Sequence, residues 1–185
     1  MCGKTTVLRD LVRRISTGIE KIEFKGINVG IADERGEIAA MYKGVPQNDV
    51  GIRTDVLDNI PKAIGMTMLI RSMSPKVIVA DEIGKEEEIS AINYAVCSGI
   101  KGIFTAHGAS LEEISINPNL KTLLNLHISE RIVFLNDKIR KAEIDKETTT
   151  RIVGGGAGGG TAVKILTKNG EALKKEFDKW IKTTD

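Results

Sequence analysis

The sequence predicts an α/β fold, in which a mostly parallel sheet is flanked by helices. Short apolar runs rich in β-branched residues, at residues 27–32, 76–80 and 102–106, have the length and composition of buried strands. Amphipathic segments at residues 5–17 and 86–98 have the period of helices. Because strand and helix patterns alternate along the chain, we expect parallel strands with helices on both faces.

The ends of the elements support this assignment. The segment at residues 5–17 carries Leu8, Leu11 and Ile15 at helical spacing. The segment at residues 86–98 has acids in its first turn and Gly99 just past its end, which suits the helix dipole and a C-cap. Two further strands are predicted at residues 131–135 and 141–145. The stretch 41–61 is punctuated by glycine and proline and is predicted as a structured surface loop.

Composition limits the class of protein. The chain has 185 residues, of which 41% are hydrophobic, enough for one buried core with a short appendage. A formal net charge of +2 gives no strong field of one sign, so composition is neutral about partners, and nucleic acid is not among the partners we expect. No apolar run approaches the ~20 residues of a membrane span. The two cysteines, Cys2 and Cys97, are too few for a disulfide framework, so we expect a soluble chain in a reducing cytoplasm.

The periodic pattern stops after Asp145. We therefore divide the chain into a core at residues 1–147 and a glycine-rich linker with a short tail at residues 148–185. Gly154, Gly156 and Gly159 formally satisfy the G-x-G-x-x-G pattern of dinucleotide sites. Too little chain follows for a βαβ unit with a ribose-binding acid, so a flexible linker is favoured.

The chain opens on the second half of a phosphate-binding loop, Gly3-Lys4-Thr5-Thr6. In the pattern G-x-x-x-x-G-K-[ST], backbone N–H groups cradle the phosphates, the lysine reaches the β/γ-phosphates and the hydroxyl binds Mg²⁺. The first glycine of the pattern and the strand before it would lie upstream of Met1. We therefore expect the first strand of the fold to be missing and ATP binding by the 185 residues alone to be weak.

A second motif favours the same chemistry. The apolar run 76–80 ends in Asp81-Glu82, the Walker B arrangement of an Mg²⁺-holding acid followed by an acid that polarises water. Together the two motifs favour a P-loop ATPase in which Lys4 neutralises phosphate charge and Thr5 and Asp81 hold Mg²⁺. The alternative is a polar strand end beside a solvated lysine.

Two more strand ends carry groups that could act at the same crevice. Asp33, Glu34 and Glu37 follow the first apolar run, and His107 follows the third. Ligands of open α/β sheets bind outside the carboxyl ends of the strands, so these groups are candidates to orient water and to sense the γ-phosphate. Surface charges in a turn are the competing interpretation.

These residues resemble known motifs. The pattern Asp33-Glu34-x-x-Glu37, the Walker B Glu82 and Thr105-x-His107 resemble the aspartate box, Walker B and histidine box of the secretion-superfamily ATPases of type II and type IV secretion. The strings at residues 29–35, 44–51, 53–58, 70–75 and 80–84 are similar to those of the stage III sporulation protein AA family of endospore-forming bacteria. This resemblance covers residues 2–137.

The resemblance implies a RecA-like P-loop NTPase core that uses ATP and Mg²⁺. It also implies a homo-oligomer, a hexameric ring, in the cytoplasm at the mother-cell face of the membrane. The implied partners are membrane channel proteins of the sporulation apparatus, and the chain would have no membrane span of its own.

The chain departs from the secretion pattern at two positions. Arg71 stands one residue farther from Pro75 than that pattern has it, and Gly84 replaces an arginine. Arg71 is therefore a candidate phosphate or inter-subunit contact, as are Arg35 and Arg53. Two other functions compete with a sporulation motor: a P-loop ATPase acting on nucleic acid, which would bind single strands in a salt-dependent way, and a non-catalytic scaffold that would not bind an ATP analogue.

Overall fold

The computed structural model describes residues 3–126, 129, 131–135, 142–144, 146–147, 150–151 and 161–166. Cys2, the glycine-rich run at residues 154–160 and residues 167–185 of the predicted tail lie outside the described residues. In the described part of the chain, no helix is long and apolar enough to cross a bilayer.

The described elements alternate as the sequence predicts over most of the chain. The helices are α1 (Lys4–Thr17), α2 (Lys62–Met73), α3 (Glu86–Cys97), α4 (Leu111–Ile116) and α5 (Pro118–Asn125). The longer strands are β1 (Val29–Asp33), β4 (Thr54–Asp58), β5 (Val77–Ala80), β6 (Lys101–His107), β7 (Arg131–Leu135) and β11 (Thr161–Leu166). The shorter strands are β2 (Met41–Tyr42), β3 (Val45–Pro46), β8 (Ala142–Ile144), β9 (Lys146–Glu147) and β10 (Thr150–Arg151).

A seven-stranded sheet with the order β4-β1-β5-β6-β11-β7-β8 forms the centre of the fold. Its first four strands are parallel, with Ile31 opposite Val79 and Val79 opposite Ile103. The α/β class with a parallel sheet flanked by helices is thus confirmed, and its four-strand part is consistent with a RecA-like core. The carboxyl ends of β1, β5 and β6 consequently meet at one edge of the sheet.

Each face of the sheet carries its own hydrophobic core. Strand side chains alternate between the faces, so neighbours such as Val79 and Ala80 pack into different layers. On one face the buried side of α1, including Leu8 and Val12, packs against the sheet. On the other face, α2, α3, α4 and α5 pack around Phe104. The sheet is therefore covered on both sides, as parallel sheets are.

The stretch at residues 41–61 is more ordered than a surface loop. It contains the hairpin of β2 and β3 and the edge strand β4, which pairs in parallel with β1. The prediction of a loop there was wrong for β4 because Thr54–Asp58 mixes acids with apolar residues. An edge strand needs no continuous apolar run, since its side chains are only partly buried.

The far side of the sheet includes strands that pair in antiparallel fashion. The pair of β7 and β8 agrees with the prediction for residues 131–135 and 141–145. Strand β11 lies between β6 and β7 and is antiparallel to both. The sequence predicts no strand at residues 161–166, and the division of the chain at residue 148 stays a prediction.

Candidate active site

Helix α1 begins beside the carboxyl edge of the sheet. Its N-cap, Gly3, has φ of 68°, and the carbonyl of Gly3 accepts the first helical hydrogen bond from Val7. Glycine adopts this left-handed conformation without a Cβ penalty. The N-terminus of α1 thus presents Lys4 and Thr5 to the ends of β5 and β6, while Thr6 is exposed in the same turn.

The hydroxyl of Thr5 meets the first acid of the Walker B pair. Thr5 Oγ1 donates a hydrogen bond to Asp81 Oδ2 at 3.2 Å. The buried hydroxyl of Thr105 on β6 donates to Asp81 Oδ1 at 3.4 Å, so both carboxylate oxygens have partners. The hydroxyl and the carboxylate that the sequence assigns to Mg²⁺ are therefore neighbours.

Glu82 is the centre of a cluster of cationic and imidazole groups. Its Oε1 lies 2.9 Å from Nε2 of His107 and 3.5 Å from Nζ of Lys4, and its Oε2 accepts a hydrogen bond from Arg35 at 2.7 Å. The ammonium of Lys4 also lies 3.2 Å from Nε2 of His107. Groups from α1, β5, β6 and the loop after β1 are thereby brought together at one point.

The two Walker B acids have opposite electrostatic environments. Burial would raise the pKa of Glu82, but the hydrogen bond from His107 and the charges of Lys4 and Arg35 outweigh it, so the pKa is lowered. Burial, and then the negative charge of Glu82, raise the pKa of Asp81 above its usual value, against the opposing Thr5 hydrogen bond. Glu82 is therefore the acid that these surroundings hold in its ionised form.

The acidic loop after β1 is built around Asp33. Its buried carboxylate accepts hydrogen bonds from the backbone N–H groups of Ile38 and Ala39, at 3.1 and 2.8 Å from Oδ2. Asp33 therefore fixes the loop, and its carboxylate is occupied by that loop's own backbone. Glu34 and Glu37 lie in the same loop and line a narrow pocket with Asp81 and Glu82.

Two of the three candidate arginines, Arg71 and Arg53, lie away from the Glu82 cluster. Arg71 is exposed in the last turn of α2 and lines a groove between α2 and α3 together with Glu87 and Tyr94. Arg53 donates hydrogen bonds to the carbonyls of Ser16 and Thr17 at the end of α1. Only Arg35 of the three candidates reaches the Glu82 cluster within the chain.

Three residues of the site were missed by the site assignment from sequence. Thr105 was noted only as part of a motif, yet its hydroxyl accepts a hydrogen bond from the backbone N–H of Glu82 at 2.7 Å. Lys62 at the start of α2 and Glu88 in α3 are buried and charged, and they meet at 3.3 Å beneath the Asp81-Glu82 turn. Their signal in the sequence is weak, because a lysine or glutamate in a helix is ordinarily solvated.

The residues present fit a bound magnesium nucleotide. A carboxylate and a hydroxyl are the oxygen ligands that Mg²⁺ prefers, and such sites are completed by water and by phosphate oxygens of the substrate. Among the described residues, no group of three or more acidic, histidine or cysteine side chains could hold a metal ion. A helix N-terminus with a lysine beside it is suited to phosphate.

Comparison with known proteins agrees with the motifs. A family model described as "Sporulation stage III, protein AA" matches residues 1–150. Over 134 residues the chain is 46% identical to stage III sporulation protein AA of Bacillus subtilis (strain 168), covering 72% of this chain and 43% of that protein.

Two other relatives match over part of the chain. The chain is 32% identical over 124 residues to the uncharacterized protein ycf45 of Porphyra purpurea, covering 66% of this chain and 21% of that protein. It is 28% identical over 151 residues to the protein SEEDLING PLASTID DEVELOPMENT 1 of Arabidopsis thaliana, covering 80% of this chain and 21% of that protein. The chain thus spans less than half the length of each of these three relatives. The chain belongs to the stage III sporulation protein AA family, and this membership supports a role in sporulation.

Proposed function

We propose that this chain carries the catalytic part of an Mg²⁺-dependent ATP hydrolase that acts in sporulation. The observation that carries the proposal is the meeting of Lys4 and Thr5 at the N-terminus of α1 with Asp81 and Glu82 at the end of β5. These are the side chains that phosphate charge, Mg²⁺ and an attacking water each require in phosphoryl transfer.

Each side chain has a defined part in this proposal. Lys4 and the first N–H groups of α1 bind phosphate, and Thr5 and Asp81 would hold Mg²⁺. The bound Mg²⁺ would neutralise charge on the phosphate oxygens. Glu82 orients and polarises a water molecule, and the groups that lower its pKa, His107, Lys4 and Arg35, favour its ionised form. His107, whose side chain is 71% exposed, contacts both Lys4 and Glu82, and these contacts support its assignment as the group that responds to the γ-phosphate.

Family membership and one exposed arginine support a proposal for the assembly and its location. Arg71 lies away from the Glu82 cluster in its own chain, so it is available to the site of a neighbouring subunit. We infer a homo-oligomer, a hexameric ring, that lies in the cytoplasm against the mother-cell face of the membrane. There ATP hydrolysis would drive assembly of, or transport through, a channel made by membrane proteins of the sporulation apparatus.

The proposal is tested by titration with a fluorescent ATP analogue and Mg²⁺. The titration uses the 185-residue chain and an extended chain, which we define as the same residues preceded by a β-strand and the Gly-x-x that completes the loop pattern before Met1. Lys4→Ala in the extended chain is expected to weaken binding about 100-fold or more, since a charge-assisted contact is lost. Lys25→Ala, at an exposed lysine remote from the site, is the matched control. Equal affinity in the two variants would contradict the proposed phosphate site.

A further inference from the structure

A buried ion pair lies directly beneath the Asp81-Glu82 turn. The side chains of Lys62 and Glu88 are 9% and 3% exposed, and Lys62 Nζ lies 3.3 Å from Glu88 Oε1. Lys62 stands in the first turn of α2 and Glu88 in the first turn of α3. An ion pair buried this deeply is costly to desolvate and is weak evidence for stability by itself. The other hydrogen bonds of Lys62 and Glu88 show which part of the backbone the ion pair holds in place.

The ion pair binds the backbone of residues 81–85 from both sides. Lys62 Nζ donates hydrogen bonds to the carbonyl of Asp81 at 3.0 Å and to the carbonyl of Glu82 at 2.8 Å. Glu88 Oε2 accepts hydrogen bonds from the N–H groups of Gly84 at 2.8 Å and Lys85 at 3.0 Å. One pair of charges therefore fixes two carbonyls and two N–H groups of the turn that carries the Walker B acids.

The residue fixed most tightly has a strained backbone. Glu82 has φ of 48°, in the left-handed region that a residue with a Cβ rarely adopts. Its N–H donates to Thr105 Oγ1 at 2.7 Å and its carbonyl accepts from Lys62, so the peptide groups on both sides of its Cα are held. Strain of this kind persists only where the surroundings over-determine it, and such positions cluster at functional sites.

The ammonium of Lys62 also connects the two acidic segments of the site. Its Nζ lies 3.8 Å from Glu34 Oε2 in the loop after β1 and lines the pocket that Glu34 shares with Glu82. Lys62 is thus the buried link between Glu82 and that loop, beside the exposed contact from Arg35 to the Glu82 carboxylate. No other described lysine has these contacts to the turn.

From these contacts we infer that Lys62 is a positioning residue, which holds Glu82 in its left-handed conformation so that the Glu82 carboxylate faces Lys4 and His107. The inference rests on the proposed function, because it assigns Lys62 to the step in which Glu82 orients water. Lys62 does not touch substrate. Its loss is expected to lower kcat and to leave nucleotide affinity almost unchanged, since Lys62 contacts Asp81 only at the backbone carbonyl, and the Asp81 carboxylate keeps its partners Thr5 and Thr105.

The test compares kcat, KM and nucleotide affinity among variants of the extended chain. The thermal midpoint of the 185-residue chain is measured beside theirs as a reference for folding. In Lys62→Met/Glu88→Gln the ammonium is lost, no unpaired charge is left buried, and the amide oxygen still accepts from Gly84 and Lys85. We expect kcat to fall about 10-fold or more while KM for Mg-ATP and the affinity for an ATP analogue change by less than about 3-fold. The thermal midpoint is expected to stay within about 5 °C of the parent. Lys76→Met is the control and should change none of these values. Lys76 is exposed and directly precedes β5, at the end of the strand away from Asp81 and Glu82.

The outcomes separate this inference from the proposed function. An unchanged kcat in the folded double variant would overturn the role of Lys62 while leaving the proposed function intact, as would parallel losses of kcat and affinity. Absence of hydrolysis in the unsubstituted extended chain would overturn both. If the double variant does not fold, Lys62→Arg decides, because it keeps the charge opposite Glu88 but replaces a compact donor by a planar fork. A lower kcat at unchanged KM then supports the role, and an unchanged kcat overturns it.

Discussion

The carboxylate of Glu82 and the imidazole of His107 lie 2.9 Å apart, which joins the ends of the neighbouring strands β5 and β6. Both side chains also approach Lys4 at the start of α1, at 3.5 and 3.2 Å. A phosphate that binds Lys4 would therefore change the electrostatic surroundings of the residue proposed to activate water. This relationship gives His107 a physical route by which it could report the state of the nucleotide.

The close approach of Gly26 to the backbone at the end of α1 predicts a specific loss of stability. A Cβ added at Gly26 would lie 2.4 Å from the carbonyl oxygen of Ser16, whereas one added at Gly44 would meet open space. Both residues have positive φ, 76° and 79°, so the backbone strain of an alanine is similar at the two sites. We expect Gly44→Ala to cost about 1 kcal/mol and Gly26→Ala about 3 kcal/mol of unfolding free energy. Urea unfolding of the two variants measures the difference, and equal costs would show that the backbones at residues 16 and 26 do not approach as described.

The pH dependence of stability should include a contribution from Asp10. Burial would raise the pKa of Asp10, but hydrogen bonds from Arg13 and Arg14 outweigh it and lower the pKa below its usual value of 3.8. Because the folded-state pKa lies below the unfolded one, ionised Asp10 stabilises the fold above pH 3.8 and loses this effect as the pH falls through the folded-state value.

Asp10→Asn is therefore expected to destabilise the chain at pH 7 and to make a smaller difference at pH 3. The partners are partly exposed, at 38% for Arg13 and 40% for Arg14, so the cost at pH 7 should be about 0.5 kcal/mol. Urea unfolding at both pH values measures it, with Asp55→Asn on the exposed face of β4 as the control. A cost that is larger at pH 3 than at pH 7 would reverse the sign of this linkage.

The fold was predictable where local pattern and tertiary role agree. Strands β5 and β6 are buried on both faces, so their continuous apolar runs identify them as strands. Because the two strands are parallel, the acids after β5 and the histidine at the end of β6 are expected at the same edge of the sheet. Strand β4 was not predictable in this way, because its residues are only half-buried and its pairing with β1 gives no local pattern.

The site was predictable only in the groups that are expected to touch a nucleotide. Lys4, Thr5, Asp81 and Glu82 stand in motifs whose spacing reflects the ligand. Lys62 contacts the carbonyls of Asp81 and Glu82, which lie 19 and 20 residues away along the chain, so no local spacing marks it. Glu88 contacts N–H groups only three and four residues before it, at the third position of α3, and that local pattern marks a helix start rather than a site. Asp33 shows the converse, since it stands in the expected acidic motif while its carboxylate binds the loop itself.

A shared site in an oligomer predicts complementation between two inactive variants. In the extended chain, Arg71→Ala would remove the arginine supplied to a neighbour, and Glu82→Gln would remove the group that polarises water. If each site uses Arg71 from an adjacent subunit, mixed assemblies contain some sites in which both residues are intact. ATP hydrolysis should then exceed the sum of the two separate preparations by several-fold, and activity should rise faster than linearly with protein concentration. Strict additivity on mixing would argue that Arg71 does not act between subunits.

The central claim, that Glu82 activates water for a nucleotide held by Lys4 and Thr5, is tested most directly by measuring binding and turnover together in Glu82→Gln. The amide keeps the size of the side chain but cannot polarise water as a carboxylate does. In the extended chain we expect the dissociation constant for Mg-ATP to stay within about 3-fold of the parent, while kcat falls by about 100-fold or more. Glu86→Gln, at an exposed acid in the first turn of α3, should change neither value. Turnover by Glu82→Gln at the rate of the Glu86→Gln control would contradict the claim.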